Sequence, residues 1–124
     1  MKKVKSVREL QAYQDAFAMQ QAVFAVSRSF PKEETYSLTD QIRRSSRSVG
    51  SNLSEAWAKR RYPAHFLAKL TDADGELQET LHWLATAEEC GYLVGAGAAE
   101  VLEQAAAVGR QVGSMISCYE SFCQ

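Results

Sequence analysis

The side chains best equipped for chemistry lie in one run, Gln41 to Arg61, QIRRSSRSVGSNLSEAWAKRR. Arg43, Arg44, Arg47, Lys59, Arg60 and Arg61 place six cations there against a single carboxylate, Glu55. Guanidinium forks match phosphate oxygens, so the run has the composition of a polyanion-binding surface. Such contacts hold a nucleic-acid backbone without reading its bases. Lys2, Lys3, Lys5 and Arg8 could extend the surface. An aromatic platform interleaved with the cations, the mark of base readers, is not evident in the sequence.

Two other chemistries fit less well. Ser45, Ser46, Ser48, Ser51 and Ser54 cluster in the same run, but no nucleophile-elbow glycines surround them and no histidine is near in sequence. Serines on a helix more commonly bond back to the backbone. Glu79-Thr80-Leu81-His82 has the Glu-x-x-His spacing of di-iron bundles, with Glu55 and Glu76 as conceivable further ligands. That site needs a second such pair, and the remaining histidine, His65, has Tyr62 three residues before it. No metal, cofactor or catalytic residue is therefore expected. Glu55 reads as structural, paired with Arg44 or bonded to a helix end.

The element that positions the run is an amphipathic helix with three stripes. Leu38, Ile42, Val49, Leu53 and Ala56 recur at helical spacing and should face a core. Gln41, Arg44, Ser48, Asn52 and Glu55 form a polar stripe beside it, expected to hold a helix or subunit interface. Arg43, Arg47 and Arg61 occupy a third side. Gly50 weakens the helix by up to ~1 kcal/mol relative to alanine, which makes sense if another backbone passes close by or if the defect is merely tolerated.

Three more helices surround this one. Ser6 and Glu9 have capping-box spacing and open a first helix over about 7–29. Its apolar residues form two stripes, Leu10, Tyr13, Phe17 and Phe24, and Ala16, Met19, Val23, Val26 and Phe30. One stripe can bury in a bundle. The other either sinks into the same core or meets another subunit. Phe30-Pro31 ends that helix, and Ser37 is the candidate N-cap of the second, 37–60. Pro63 suits the first turn of a third helix, 63–90, with Phe66, Leu70, Ala73, Leu77, Leu81 and Leu84 inward and Gly91 as its C-terminal stop. A fourth helix, 98–122, carries Val101, Ala105, Val108, Val112, Met115, Tyr119 and Phe122 in a heptad-like stripe. In it Gly109 and Gly113 would permit close helix approach. Four long helices with short connections predict an all-α, antiparallel up-down-up-down four-helix bundle forming one domain over 1–124.

Bulk composition narrows the partners. A formal net charge of −1 over 124 residues hides two opposed halves. Residues 1–70 hold 13 Lys/Arg against 6 Asp/Glu, a net of +7, and residues 71–124 hold 1 Arg against 9 Asp/Glu, a net of −8. Asp72, Asp74, Glu88, Glu89, Glu100 and Glu103 form an acidic surface against which a basic face of another copy could dock. Such a heterologous contact closes into a ring if its rotation permits. Cys90, Cys118 and Cys123, odd in number and without metal-ligand spacing, read as free thiols. The sequence has neither a signal-peptide pattern nor a run long enough to span a membrane. A cytoplasmic protein is expected.

Several motifs together resemble a known family. Phe30-Pro31, then Leu38, Thr39, Gln41, Arg43 and Arg44, then Ser48, Asn52 and Glu55, then Glu76, Leu77, Glu79 and Thr80 follow its pattern in order and at suitable spacing. The family is that of four-helix bundles encoded by intervening sequences in bacterial large-subunit ribosomal RNA genes, and the resemblance covers about residues 7–93. Ala56 and Ala58 stand where that family commonly has glycine, which would let the second helix run longer. Gln78 replaces a common acidic or polar residue there. The resemblance implies a homo-oligomer, with a ring-shaped pentamer favoured, and no catalytic activity. It also implies similarity to the accessory protein of diversity-generating retroelements, and with it nucleic acid and a reverse transcriptase as partners. It does not make the chain a ribosomal protein.

Two functions are thus expected. One is a non-enzymatic, self-assembling bundle that binds RNA or DNA through Arg43, Arg47, Lys59, Arg60 and Arg61. The other is a purely structural or protein-interaction module whose basic and acidic faces serve assembly.

Overall fold

The computed structural model describes residues 4–124. Among them the regular structure is entirely helical: α1 (Gln11–Ser27), α2 (Asp40–Ala58), α3 (Pro63–Glu89) and α4 (Gly95–Ser117), with short 3₁₀ and π turns at their ends. Lys2 and Lys3, expected to extend the basic surface, lie outside the described residues.

Cross-helix pairs fix the topology. Along α2 the partners on α3 descend, with Arg44 meeting Glu79 and Glu55 meeting Lys69. Arg43 meets Ser27 of α1, whereas Gly50, two turns on, faces Tyr13 and Gln20. Gly109 of α4 sits over Leu77 of α3, and Phe122 beyond α4 stacks on Phe66. Asp15 of α1 accepts from the Gln111 amide of α4. Each neighbouring pair therefore runs antiparallel, and α4 closes back on α1, giving the up-down-up-down bundle.

One continuous core runs through all four helices. From α2 it takes Ile42, Val49, Leu53 and Ala56, with Leu38 from the preceding turn, as the periodicity predicts. Of the two α1 stripes, Ala16, Met19 and Val23 are fully buried, with Phe30 nearly so, while Phe17 of the other stripe is 48% exposed. On α3 the inward register passes through Thr80 instead of Leu81, which is only half-buried. Thr80 can occupy that position because its hydroxyl donates to the Glu76 carbonyl at 2.9 Å and meets the Ser45 hydroxyl of α2 at 2.8 Å. A buried polar group so partnered avoids most of its desolvation cost.

The helix ends depart from expectation in several places, and α4 begins at Gly95 instead of 98. Residues 7–29 are not one helix. Ser6 caps a 3₁₀ turn, Val7–Glu9, by accepting from the Arg8 N–H, and Leu10 is extended (φ −76°, ψ 123°) before α1 begins. The Glu9 carboxylate accepts from the Lys5 N–H instead of closing the box on Ser6. Ser37 does not cap α2. It lies in a π-helical turn, Thr35–Thr39, that leads straight into α2, and its hydroxyl donates to Glu34. Finally, α4 stops at Ser117, and Tyr119 and Phe122 fall in a 3₁₀ turn after a non-helical Cys118 (φ −125°, ψ 36°). α2 ends at Ala58, short of the expected 60, with Lys59 non-helical (φ −105°, ψ 17°), so Ala56 and Ala58 do not lengthen it.

The α1–α2 and α3–α4 connections meet at one end of the bundle. There Tyr92 stacks on Phe30 at 5.8 Å and donates to the Glu34 carboxylate at 2.8 Å. That bond, with the Glu34 charge beside it, pushes the Tyr92 phenol up to about 12. The Glu34 carboxyl is held below its usual range by the Ser37 hydroxyl first and Tyr92 second. Gly91 takes φ +80°, the left-handed conformation that a helix C-terminus favours in glycine.

Candidate nucleic-acid interface

The antiparallel register of α1 and α2 gathers three arginines on one ring. Arg43 lies 4.7 Å, Arg47 5.6 Å and Arg28 5.7 Å from the Phe24 ring centre. Arg43 Nε also donates to the Ser27 hydroxyl at 2.8 Å. Among the described residues no carboxylate lies within ion-pair distance of these three guanidiniums. Each cation–π contact contributes about 0.5–1 kcal/mol at an exposed site. Like charges gathered on one ring repel one another, by an amount that in water reaches about 1 kcal/mol for a pair only at 4 Å. Phe24 thus holds three like charges together, and an anion bound to them would relieve the repulsion.

Arg28 and Ser27 were not singled out by the sequence, and Phe24 only as an apolar residue of the first helix. The signal was the four-residue spacing of Phe24 and Arg28, which puts both on one helix face.

The other predicted cations sit elsewhere. Arg47 to Ala58 spans roughly 16 Å of helix, and only beyond it come Lys59, Arg60 and Arg61. Arg60 is folded back, its guanidinium 3.7 Å from the Trp57 ring and its Nε bonded to the Trp57 carbonyl at 3.0 Å. The Arg60 carbonyl accepts from the Gln124 N–H. Arg61 is fully outside the helix and exposed. The five residues expected to act together form two groups at different levels of α2.

The polar stripe lies along the seam between α2 and α3. Arg44 forks to both Glu76 and Glu79. Those bonds, to Glu79 first and Glu76 second, push its pKa up. Burial works against the Glu79 charge, but the Trp83 indole N–H and Arg44 outweigh it and hold the carboxyl below its usual range. Glu55 does not pair with Arg44, which stands three turns away on the same helix. It bonds Lys69 of α3 at 2.9 Å, which lowers the Glu55 pKa and raises that of Lys69. Asn52 donates to the Ser48 carbonyl and Ser48 to the Arg44 carbonyl. Gln41 is half-buried. Within one chain, then, Arg44 and Glu55 of this stripe serve a helix–helix seam.

The residues of the alternative chemistries are spoken for by neighbours. Ser46 and Ser51 each reach the carbonyl three residues back, and Ser45 meets the Thr80 hydroxyl. Glu76 and Glu79 are taken up by Arg44, and His82 is exposed with its ring edge-on to Trp83. Among the described residues no three His, Cys, Asp or Glu side chains converge as metal ligands, and no helix is long and apolar enough to cross a membrane.

Beside the arginine cluster the α1–α2 edge opens into a groove of about 500 Å³, lined by Tyr13, Phe17, Gln20, Arg47, Gly50, Ser51, Ser54 and Glu55. A Cβ on Gly50 would meet only Tyr13 Cε1 and Gln20 Oε1, each at 3.8 Å. Among the described residues no backbone approach requires this glycine.

An antiparallel all-α bundle with an arginine-lined edge is the class of protein that fold and site define. Residues 8–114 match the family described as 23S rRNA-intervening sequence protein, and the chain belongs to that family. Its fold is similar to that of a protein of unknown function from the S23 ribosomal protein family of Bacteroides thetaiotaomicron. The TM-score is 0.76 at 22% identity, covering 85% of this chain and 97% of that one. No curated protein matches the sequence.

Proposed function

We propose that the protein is a non-enzymatic, self-associating bundle, ring-shaped when assembled, that holds RNA or DNA by its phosphates along the α1–α2 edge. The observation that supports this most directly is the trio Arg28, Arg43 and Arg47 on Phe24, without a carboxylate in ion-pair range. Arg44 and Lys69, by contrast, have acidic partners. Three phosphate contacts per protomer give a log–log salt slope of about −2 on a single strand and about −2.7 on duplex DNA. Affinity should therefore fall about 20- to 40-fold between about 50 and about 200 mM salt. An electrophoretic shift at those two salt levels tests this. Absence of any complex with RNA or duplex DNA at low salt would refute it.

A second reading is favoured by the opposed charges of the chain halves. In it the same arginines dock on the acidic α3–α4 surface of a neighbouring copy. The double variant Arg43→Glu/Arg47→Glu separates the two readings. Unchanged mass by light scattering with lost nucleic-acid binding supports the first, and collapse to the monomer supports the second.

A further inference from the structure

We infer that the α1–α2 edge selects single-stranded over duplex nucleic acid, with an unpaired base stacked on Phe17 beside Tyr13 while the adjoining phosphates lie on Arg47, Arg43 and Arg28. This inference rests on the phosphate-binding reading above and adds to it a specificity that charge alone does not supply.

Three observations carry it. Phe17 keeps 48% of its surface exposed although it belongs to an apolar stripe, and Tyr13 lies beside it with ring centres 6.3 Å apart. Phe17 and Phe24 stand seven residues apart, two turns and about 10 Å along one face of α1, so the aromatic and cationic sections are consecutive on one edge. Arg47 belongs to both, since it stacks on Phe24 and also lines the groove that Tyr13 and Phe17 wall. At about 500 Å³ that groove falls in the range of small-ligand sites. A base can enter it only if it is not already paired and stacked within a duplex. Base–aromatic stacking next to a cationic track is the arrangement by which proteins hold unpaired strands without reading sequence. The sequence hid this platform because its aromatics lie on α1 and the cations that complete it lie largely on α2.

The test uses fluorescence anisotropy with a labelled oligouridylate and a labelled RNA duplex of equal length, at one low salt concentration. The full chain should bind the single strand at least about tenfold more tightly than the duplex. Phe17→Ala should weaken single-strand binding by about five- to hundredfold. It should leave duplex affinity, salt slope, melting temperature and light-scattering mass unchanged, and Phe17→Tyr should restore binding. If Phe17→Ala binds the single strand like the parent while Arg43→Glu/Arg47→Glu does not, the stacking inference is overturned and phosphate binding stands. If the parent binds neither probe, both fall. If Phe17→Ala lowers the mass, Phe17 belongs to a contact between copies and the inference is overturned.

Discussion

The hydroxyl pair between α2 and α3 supports a quantitative prediction. Ser45 and Thr80 are both fully buried, and their two protons face three contacts: Ser45 to the Ile42 carbonyl at 3.3 Å, Ser45 to Thr80 at 2.8 Å, and Thr80 to the Glu76 carbonyl at 2.9 Å. The long contact is the one to go unmade, so Thr80 donates to Glu76 and Ser45 to Thr80. Ser45→Ala leaves Thr80 its carbonyl. Thr80→Val leaves Ser45 the 3.3 Å alternative. Each single variant therefore loses one net hydrogen bond, about 1 kcal/mol. The double variant loses both bonds, about 2 kcal/mol, since the 3.3 Å alternative disappears with the Ser45 hydroxyl. At roughly 2.1 cal/mol/K per residue, 124 residues convert this to a fall of about 4 °C for each single variant and about 8 °C for the double variant. Thermal unfolding of the four proteins, all at one protein concentration because any self-association would shift the midpoint, measures it. A melting temperature of Ser45→Ala within about 1 °C of the parent's would refute the shared bond.

Other expectations follow from glycines and titrating groups. Gly50→Ala should raise stability by up to ~1 kcal/mol through helix propensity, since the new methyl meets only side-chain atoms at 3.8 Å; a fall in light-scattering mass instead would show that another copy's backbone seats there. Gly113→Ala meets nothing within 4 Å, whereas Gly109→Ala would press on Leu77 Cδ2 at 3.1 Å within the core. Chemical denaturation should therefore find the Gly113 variant about 1–2 kcal/mol more stable than the Gly109 variant. Tyr92, raised from 10.0 to about 12, stabilises the fold while its phenol is protonated. That contribution is complete below pH 10 and lost as pH rises towards 12, so Tyr92→Phe should flatten the stability profile across that window. Glu34, lowered from 4.5, stabilises above that value and ceases to as pH falls through its folded pKa, so Glu34→Gln should lessen the loss of stability on acidification.

Local chemistry made much of the bundle legible. Pro31, Pro63 and Gly91 break the chain because of their own backbones, and the boundaries around them were readable. The π turn at Thr35–Thr39 and the extended Leu10 have no such marker, because any residue type can take those backbones. Both α1 stripes are apolar, so sequence alone could not say that Met19 would be buried and Phe17 exposed. Thr80 replaced Leu81 inside because Ser45 stood opposite, a pairing set by the register between two helices. The same holds for the candidate site: the basic character of Arg43 and Arg47 was plain in the sequence, but their gathering with Arg28 on Phe24 depended on how α2 lies against α1.

The π-helical turn at Thr35–Thr39 has a bearing on how this chain can vary in length. A π turn is an α-helix carrying one surplus residue. Removing a residue there would restore α geometry and leave every later side chain pointing where it did. Removing one within α2 would swing all that follows by about 100°, carrying Arg43 off Phe24 and Arg44 off Glu79. The turn is thus a slack point in an otherwise rigid register, and single-residue deletions between Thr35 and Thr39 should spare the fold while those between Asp40 and Arg47 destroy it.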